Sequence, residues 1–388
     1  MYFKRKLGPR LRGGDLSRKM AFRLSAFYFA YFAYTGAYVA YFPLYLADRG
    51  LSAMHIAWVL ALAPLARTFA PPAWGWLADR TGAHRAIAAF SCAASAAAFA
   101  MLPFTERIAL VIGLMSLLSA GGLPLVEAIT MRQLGSQPGK YGPIRLWGSV
   151  GFIAVVTGGG IWLERYPVST LPAVLVVFTL ATLATALTLP AAAAHAQRAS
   201  VSLRITPAMR ALLAAGFCNA VAHGALYAFL SLHLEALGYR ATAIGFLWTL
   251  GVVAEIGVFV YLPHLFRRFA LSTILAASLA CGVVRFAGLG WLAAEVWIVL
   301  VAQLLHAATF GSFHAAAVAA VHRVFPPNVH ARGQTLFSGV TYGAGGAAGL
   351  ALSGWVWSGA GAHGAFSVSV IASALGAFFA LRLRRAGL

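Results

Sequence analysis

The sequence predicts an all-α membrane protein of twelve transmembrane helices, built as two pseudo-symmetric six-helix bundles. Three observations lead there. The 388 residues are 61% hydrophobic and 10% charged, more apolar surface than one or two soluble domains can bury. The apolar residues fall in runs of about 20 or more, the length of a bilayer-crossing helix and too long for the ten-residue alternating strands of a barrel. The cations collect mostly in alternate gaps between the runs.

Taken in order, a basic N-terminus (1–21) is followed by spans at 22–46, 52–78, 84–103, 106–130, 143–163 and 168–190. The polar stretch AAAAHAQRASVSLRIT (191–206) is a linker. Spans at 207–235, 241–263, 270–292, 295–320, 332–357 and 362–383 follow, then a tail at 384–388. The bundles are thus 22–190 and 207–383. The first run is too long for a signal-peptide core and stays as a span. One set of gaps holds Lys4, Arg18, Arg80, Arg85, Arg132, Lys140, Arg204, Arg267, Arg323 and Arg384 among others, whereas the other set holds only Arg49, Arg107, Arg165 and Arg240, each near an acid. By the positive-inside rule both termini are cytoplasmic, and the formal charge of +20 is a topology signal, not a nucleic-acid footprint.

Cys92, Cys218 and Cys281 lie in separate apolar runs without metal-ligand spacing, so no disulfide framework or metal site is expected. No H-E-x-x-H, G-x-S-x-G or Asp-rich motif supports a membrane enzyme. A transporter-like sensor would need an added signalling domain, for which the termini are too short.

In the first span Tyr31, Tyr34, Tyr38, Tyr41 and Tyr45 recur at steps of three and four, so their rings share a helical face. Tyr34 and Tyr38 fit either a cavity wall that stacks on a flat substrate or plain helix packing. Gly339, Gly343, Gly345, Gly346 and Gly349 imply close helix packing.

Five strong charges lie in or at the edge of the spans: Arg67, Glu127, Arg145, Glu255 and Arg285. Ionisable groups in hydrocarbon are costly and persist where they meet a partner or a water-filled path. Glu127 and Arg145 sit at facing ends of spans four and five, and Glu255 and Arg285 at similar depth in spans eight and nine, so one Glu–Arg pair per half is expected. Three guanidiniums against two carboxylates leave one positive charge that a monoanionic substrate would neutralise. Asn219, His223, Gln303 and His306 add polar groups at comparable depth. Gln303, His306 and Phe313 share a face, whereas His314, about 80° round an ideal helix, reads as peripheral.

Specific motifs carry a resemblance. GWLADRTGAHR (75–85) resembles the loop between spans two and three of the major facilitator superfamily, with Gly75, Asp79, Arg80, Gly82 and Arg85 at its motif positions. There the glycines allow the turn, and Asp79 either caps the next helix or pairs with a cation. GGLPLVEAITMR and YGPIRLWGSVGF resemble the fourth and fifth spans of the oligosaccharide/proton symporters, which places Glu127, Arg145 and Phe152 at substrate-contact positions. Phe152 stands where those symporters stack a Trp on the sugar, and Thr309 stands where they keep a proton-carrying acid. YGPIRLWGSVGFI, GFLWTLGVVAEIGVF, CGVVRF and QLLHAATF together are closer to the 3-phenylpropionate transporters of the same superfamily.

The resemblance implies proton-coupled uptake of a small aromatic carboxylate by alternating access, with a proton-coupled sugar or nucleoside symporter as the alternative. It implies a bacterial inner-membrane protein that works as a monomer in the lipid bilayer, uses no cofactor beyond the proton gradient, and binds a small molecule. Glu255, Arg285 and His306 are the proton-coupling candidates. Burial favours the neutral form of Glu255 and a neighbouring Arg285 its ionised form, so a substrate carboxylate on Arg285 would release Glu255 to take a proton. Glu127, Arg145, Phe152, Tyr34, Tyr38, Asn219, His223 and Gln303 are the substrate-contact candidates; Glu127 and Arg145 fit a cytoplasmic gate as well.

Overall fold

The computed structural model describes residues 17–135, 137–191, 205–326 and 329–386, and these are helical almost throughout. The expected linker lies mostly outside the described residues, as does most of the N-terminal segment. Helix α1 (Arg18–Asp48) starts at Ser17, whose hydroxyl accepts from the Met20 amide. Helix α2 (Ala53–Thr81) starts at Ser52 in the same way and stops at Gly82, where φ of 68° suits a residue without Cβ. The rest of the first half is α3 (His84–Met101), α4 (Ile108–Ser119), α5 (Gly122–Leu134), α6 (Tyr141–Leu163) and α7 (Leu171–Leu187).

The second half comprises α8 (Pro207–Ala222), α9 (Gly224–Ala236), α10 (Ala241–Arg268), α11 (Leu271–Trp291), α12 (Val296–Leu304), α13 (Phe313–Val324), α14 (His330–Ser338) and α15 (Gly346–Arg382). Two π-helical turns interrupt it: Ala307–Ser312 between α12 and α13, and Gly339–Gly345 between α14 and α15. Among the described residues ten stretches are long and apolar enough to cross a membrane. One of them, Arg332–Arg382, is 51 residues long and kinks at Gly361 (φ 58°, ψ −151°), so it holds two crossings. With α1, whose six tyrosines dilute its apolar character, the crossings number twelve. The expected break between spans eleven and twelve is therefore a kink at one glycine, not a loop. Phe69, Val177, Val260 and Trp355 point outward, as lipid-facing side chains do.

Within the first half α1 packs on α6 and α7, and α3 on α7; within the second, α15 packs on α8 and α11. The halves meet through α6 with α10, α2 with α15, and α1 with α9. The polar contacts between them cluster at the end remote from the chain termini. Arg240 donates to Glu164 at 2.7 Å, and the Thr242 amide donates to the other Glu164 oxygen at 3.1 Å. Thr157 and Thr249 share a hydrogen bond at 2.8 Å, and Ser231, which accepts from the Trp248 indole, donates to the Ala40 carbonyl. Gly345 backs onto the Phe217 carbonyl and Gly346 onto Pro64, the close packing expected of that glycine run.

Candidate functional site

The polar groups of the second half converge on Arg285, which is 1% exposed in the middle of α11. Its Nε donates to the Ala302 carbonyl at 2.8 Å and its Nη2 to Gln303 Oε1 at 3.1 Å. Its Nη1 donates to Thr309 Oγ1 at 2.8 Å and faces His223 Nε2 at 3.5 Å. His223 Nδ1 lies 2.8 Å from the Asn219 carbonyl, so this nitrogen carries the hydrogen and Nε2 is the acceptor toward Arg285. Gln303 completes the network by donating to the Leu247 carbonyl at 3.0 Å. The protein thus occupies four of the guanidinium's five donor hydrogens, leaving no fork for a carboxylate.

The expected Glu255–Arg285 pair does not form. Helices α10 and α11 are consecutive, but both pack against α12 and the π-helical turn that follows it, so the tenth crossing comes between them. Glu255 instead meets His306, with 3.7 Å between Oε2 and Nε2, and its side chain is 19% exposed. His306 Nδ1 is buried with no hydrogen-bond partner.

The π-helical turn also changes which residues share a face. Its i→i+5 ladder adds a residue to the turn, so positions four apart come into line. His306 stacks on Phe310 at 5.2 Å and 8°, and Phe310 stacks on His314 at 6.4 Å and 10°. His314 is therefore not peripheral. Its Nδ1 lies 2.6 Å from the hydroxyl of Tyr342, which comes from the second π-helical turn.

In the first half the Arg145 guanidinium, on α6, lies 3.8 Å from the centroid of Phe32 and 5.5 Å from that of Tyr28. Among the described residues it makes no ion pair, and its hydrogen-bond partner is the Tyr141 hydroxyl, which also bonds Glu127. Gly148, one turn along, leaves the space for this stack: a Cβ there would come within 2.7 Å of both Arg145 Nη1 and the Phe32 ring. Glu127 is not in contact with Arg145 but lies in its field. The same guanidinium acts across the interface on Glu255 and His314. Neither of the two Glu–Arg ion pairs expected, one per half, forms among the described residues.

The remaining predicted residues divide. Tyr34 and Tyr38 turn toward Phe99 of α3, at 6.3 and 6.1 Å, and Tyr38 stacks on Phe42 at 4.6 Å. This is packing inside the first half, although the buried Tyr38 hydroxyl has no partner. The Phe152 ring packs against α1 at Gly36. In the loop motif Asp79 pairs with His84 at 3.1 Å and Arg132 at 3.9 Å and does not cap α3. Arg85 donates to the Leu189 carbonyl, and Arg80 lies over Trp76. Gly82 makes the turn, whereas Gly75 is helical with open space where a Cβ would go, so the turn does not need it. Phe32, Phe310, His314 and Tyr342 were not among the predicted residues. The sequence, which sets Arg145 opposite Glu127, carried no signal for Phe32 or for the π-helical register.

Residues 21–368 match the MFS_1 like family. The chain is 30% identical over 307 residues to a probable 3-phenylpropionic acid transporter of Escherichia coli, covering 75% of this chain and 79% of the relative. It is 28% identical over 353 residues to a maltose permease of Geobacillus stearothermophilus, covering 87% and 88%. Its fold is similar to that of the nucleoside transporter NupG, with a TM-score of 0.82 over 96% of this chain and 99% of that one at 17% identity.

Proposed function

The chain belongs to the MFS_1 like family of membrane transporters, and from this premise we propose that it imports a small aromatic monocarboxylate together with a proton, by alternating access. Arg145 carries the reading. It is an arginine over the Phe32 ring, and apart from the Tyr141 hydroxyl the protein gives its donors no partner among the described residues. A guanidinium fork binds a carboxylate through two parallel hydrogen bonds, and the adjoining ring offers an apolar face to an aromatic tail. The E. coli relative, named for 3-phenylpropionic acid, supports that substrate class.

Coupling follows from the shared field. A carboxylate bound on Arg145 cancels the positive charge of the site, and Glu255 then takes a proton with His306 beside it. Arg285 shapes the wall of this site through Gln303, Thr309 and His223 and does not receive the substrate. By the positive-inside rule the termini are cytoplasmic, so the seam at Glu164–Arg240 lies on the outer side. A bacterial inner-membrane monomer driven by the proton gradient needs no further cofactor.

The test is proton flux into proteoliposomes on addition of 3-phenylpropionate, a disaccharide or a nucleoside. Phenylpropionate should drive proton uptake, and Glu255→Gln should abolish accumulation while leaving binding measurable. Full accumulation by that variant would remove the coupling role. The maltose permease relative favours sugar symport as the second reading, which a response to the disaccharide alone would select.

A further inference from the structure

The proposed symport loads a proton at Glu255 but does not say how that proton leaves. On the side of Glu255 nearer the termini, two π-helical turns bring together residues that an ideal helix would hold apart. The first, Ala307–Ser312, aligns His306, Phe310 and His314. The second, Gly339–Gly345, presents Tyr342 to His314. Isolated π-helical turns interrupt the regular ladder at a cost and recur at functional sites. Here both converge on one hydrogen bond.

We propose that His314 and Tyr342 form the relay that takes the proton from Glu255 toward the cytoplasm. The inference rests on the proton-coupled reading above.

The geometry suits the task. The Tyr342 hydroxyl and His314 Nδ1 share a hydrogen bond of 2.6 Å; in the tautomer the relay uses, the hydroxyl donates and the neutral ring carries its hydrogen on Nε2. Glu255 packs directly against the first π-helical turn: its Cγ lies 3.0 Å from where a Cβ on Gly311 would sit, three residues before His314. In one step the Glu255 carboxylic acid passes its proton to the Tyr342 oxygen as Tyr342 passes its own to His314 Nδ1. Glu255 is left ionised, Tyr342 neutral and His314 cationic. The imidazolium then gives its Nε2 proton to water, so one proton leaves Glu255 and one reaches solvent.

The groups facing the relay set its timing. Arg145 acts on His314 from α6, and Glu255 on Tyr342 from α10. Tyr227 of α9 acts on Tyr342 as well, while Phe310 separates His314 from His306. While substrate covers Arg145, its carboxylate balances that cation and an imidazolium at His314 is tolerated. Once substrate leaves, the bare guanidinium repels the imidazolium and expels its proton. Proton release is thereby tied to substrate release, which an uncoupled His could not achieve.

The experiment compares His314→Gln and Tyr342→Phe with the wild type in proteoliposomes, using 3-phenylpropionate as probe. Gln retains polar atoms at 314, and Phe removes only the hydroxyl at 342. Each variant should slow proton-driven uptake at least about a hundred-fold, the lower end of what a positioned acid–base group supplies. Counterflow exchange, which needs no net proton release, should stay within about two-fold of wild type. Wild-type rates for both activities in both variants, or an equal fall in both, overturn the relay. If the wild type moves no protons with any substrate, the symport reading itself fails; protons moved normally by both variants sink the relay and leave symport standing.

Discussion

Glu255 meets His306 across 3.7 Å, while the buried Arg285 that sequence order sets opposite it meets no carboxylate among the described residues. The two arginines, Arg285 deep in α11 and Arg145 near the start of α6, therefore do different work. Arg285 is consumed by the protein's own hydrogen bonds, whereas Arg145 lies over the Phe32 ring with Tyr141 as its hydrogen-bond partner.

That division separates stability from binding. Arg285→Met should lower the melting temperature in detergent sharply, because Gln303, Thr309 and the Ala302 carbonyl each lose a buried partner, at about 1–3 kcal/mol per orphaned group. Arg145→Ala should leave the melting temperature near wild type and abolish phenylpropionate binding by calorimetry. Binding retained by Arg145→Ala would move the substrate carboxylate elsewhere.

Three glycines should differ in the same assay. A Cβ at Gly151 would run into the Phe29 carbonyl of α1, backbone that cannot step aside, so Gly151→Ala should lower the expressed, monodisperse yield severely. Gly148→Ala presses on Arg145 and Phe32, side chains that can move; it should cost about 1–3 kcal/mol of stability and weaken substrate binding. Gly75→Ala meets open space and should be silent in both, although Gly75 belongs to the loop motif.

The seam between the halves at Glu164–Arg240 should loosen in acid. Hydrogen bonds from Thr242, then the charge of Arg240, hold the Glu164 carboxyl below the usual carboxylate range. A carboxyl depressed in the closed state contributes fully above its ordinary value, and the contribution is lost as pH falls through the depressed one. Spin-label distances across Glu164–Arg240 should therefore lengthen in acid, and Glu164→Gln should show the longer distance at neutral pH. No change in wild type down to strong acid would rule out a closing role for this pair.

Much of the site was legible as a set of residues, and less as a set of contacts. Glu255, His306, Arg145 and Arg285 stand out because charge is scarce in these runs, and the loop motif around Asp79 announces its own position. Their partners were harder to read. Pairing Glu255 with Arg285 assumes that consecutive spans are neighbours, yet the tenth crossing comes between them. Setting His314 aside assumes an unbroken helix of 3.6 residues per turn, and the turn at Ala307–Ser312 breaks that register.

By itself the sequence determined the twelve crossings, their approximate limits and the ionisable groups within them, because a segment in lipid must satisfy its own backbone and so declares itself by length and hydropathy. Only the tertiary structure decided which groups meet: Arg145 with Phe32, Glu255 with His306, His314 with Tyr342. Those meetings depend on the packing order of helices and on two local changes of helical register, and neither follows from the order of residues along a single run.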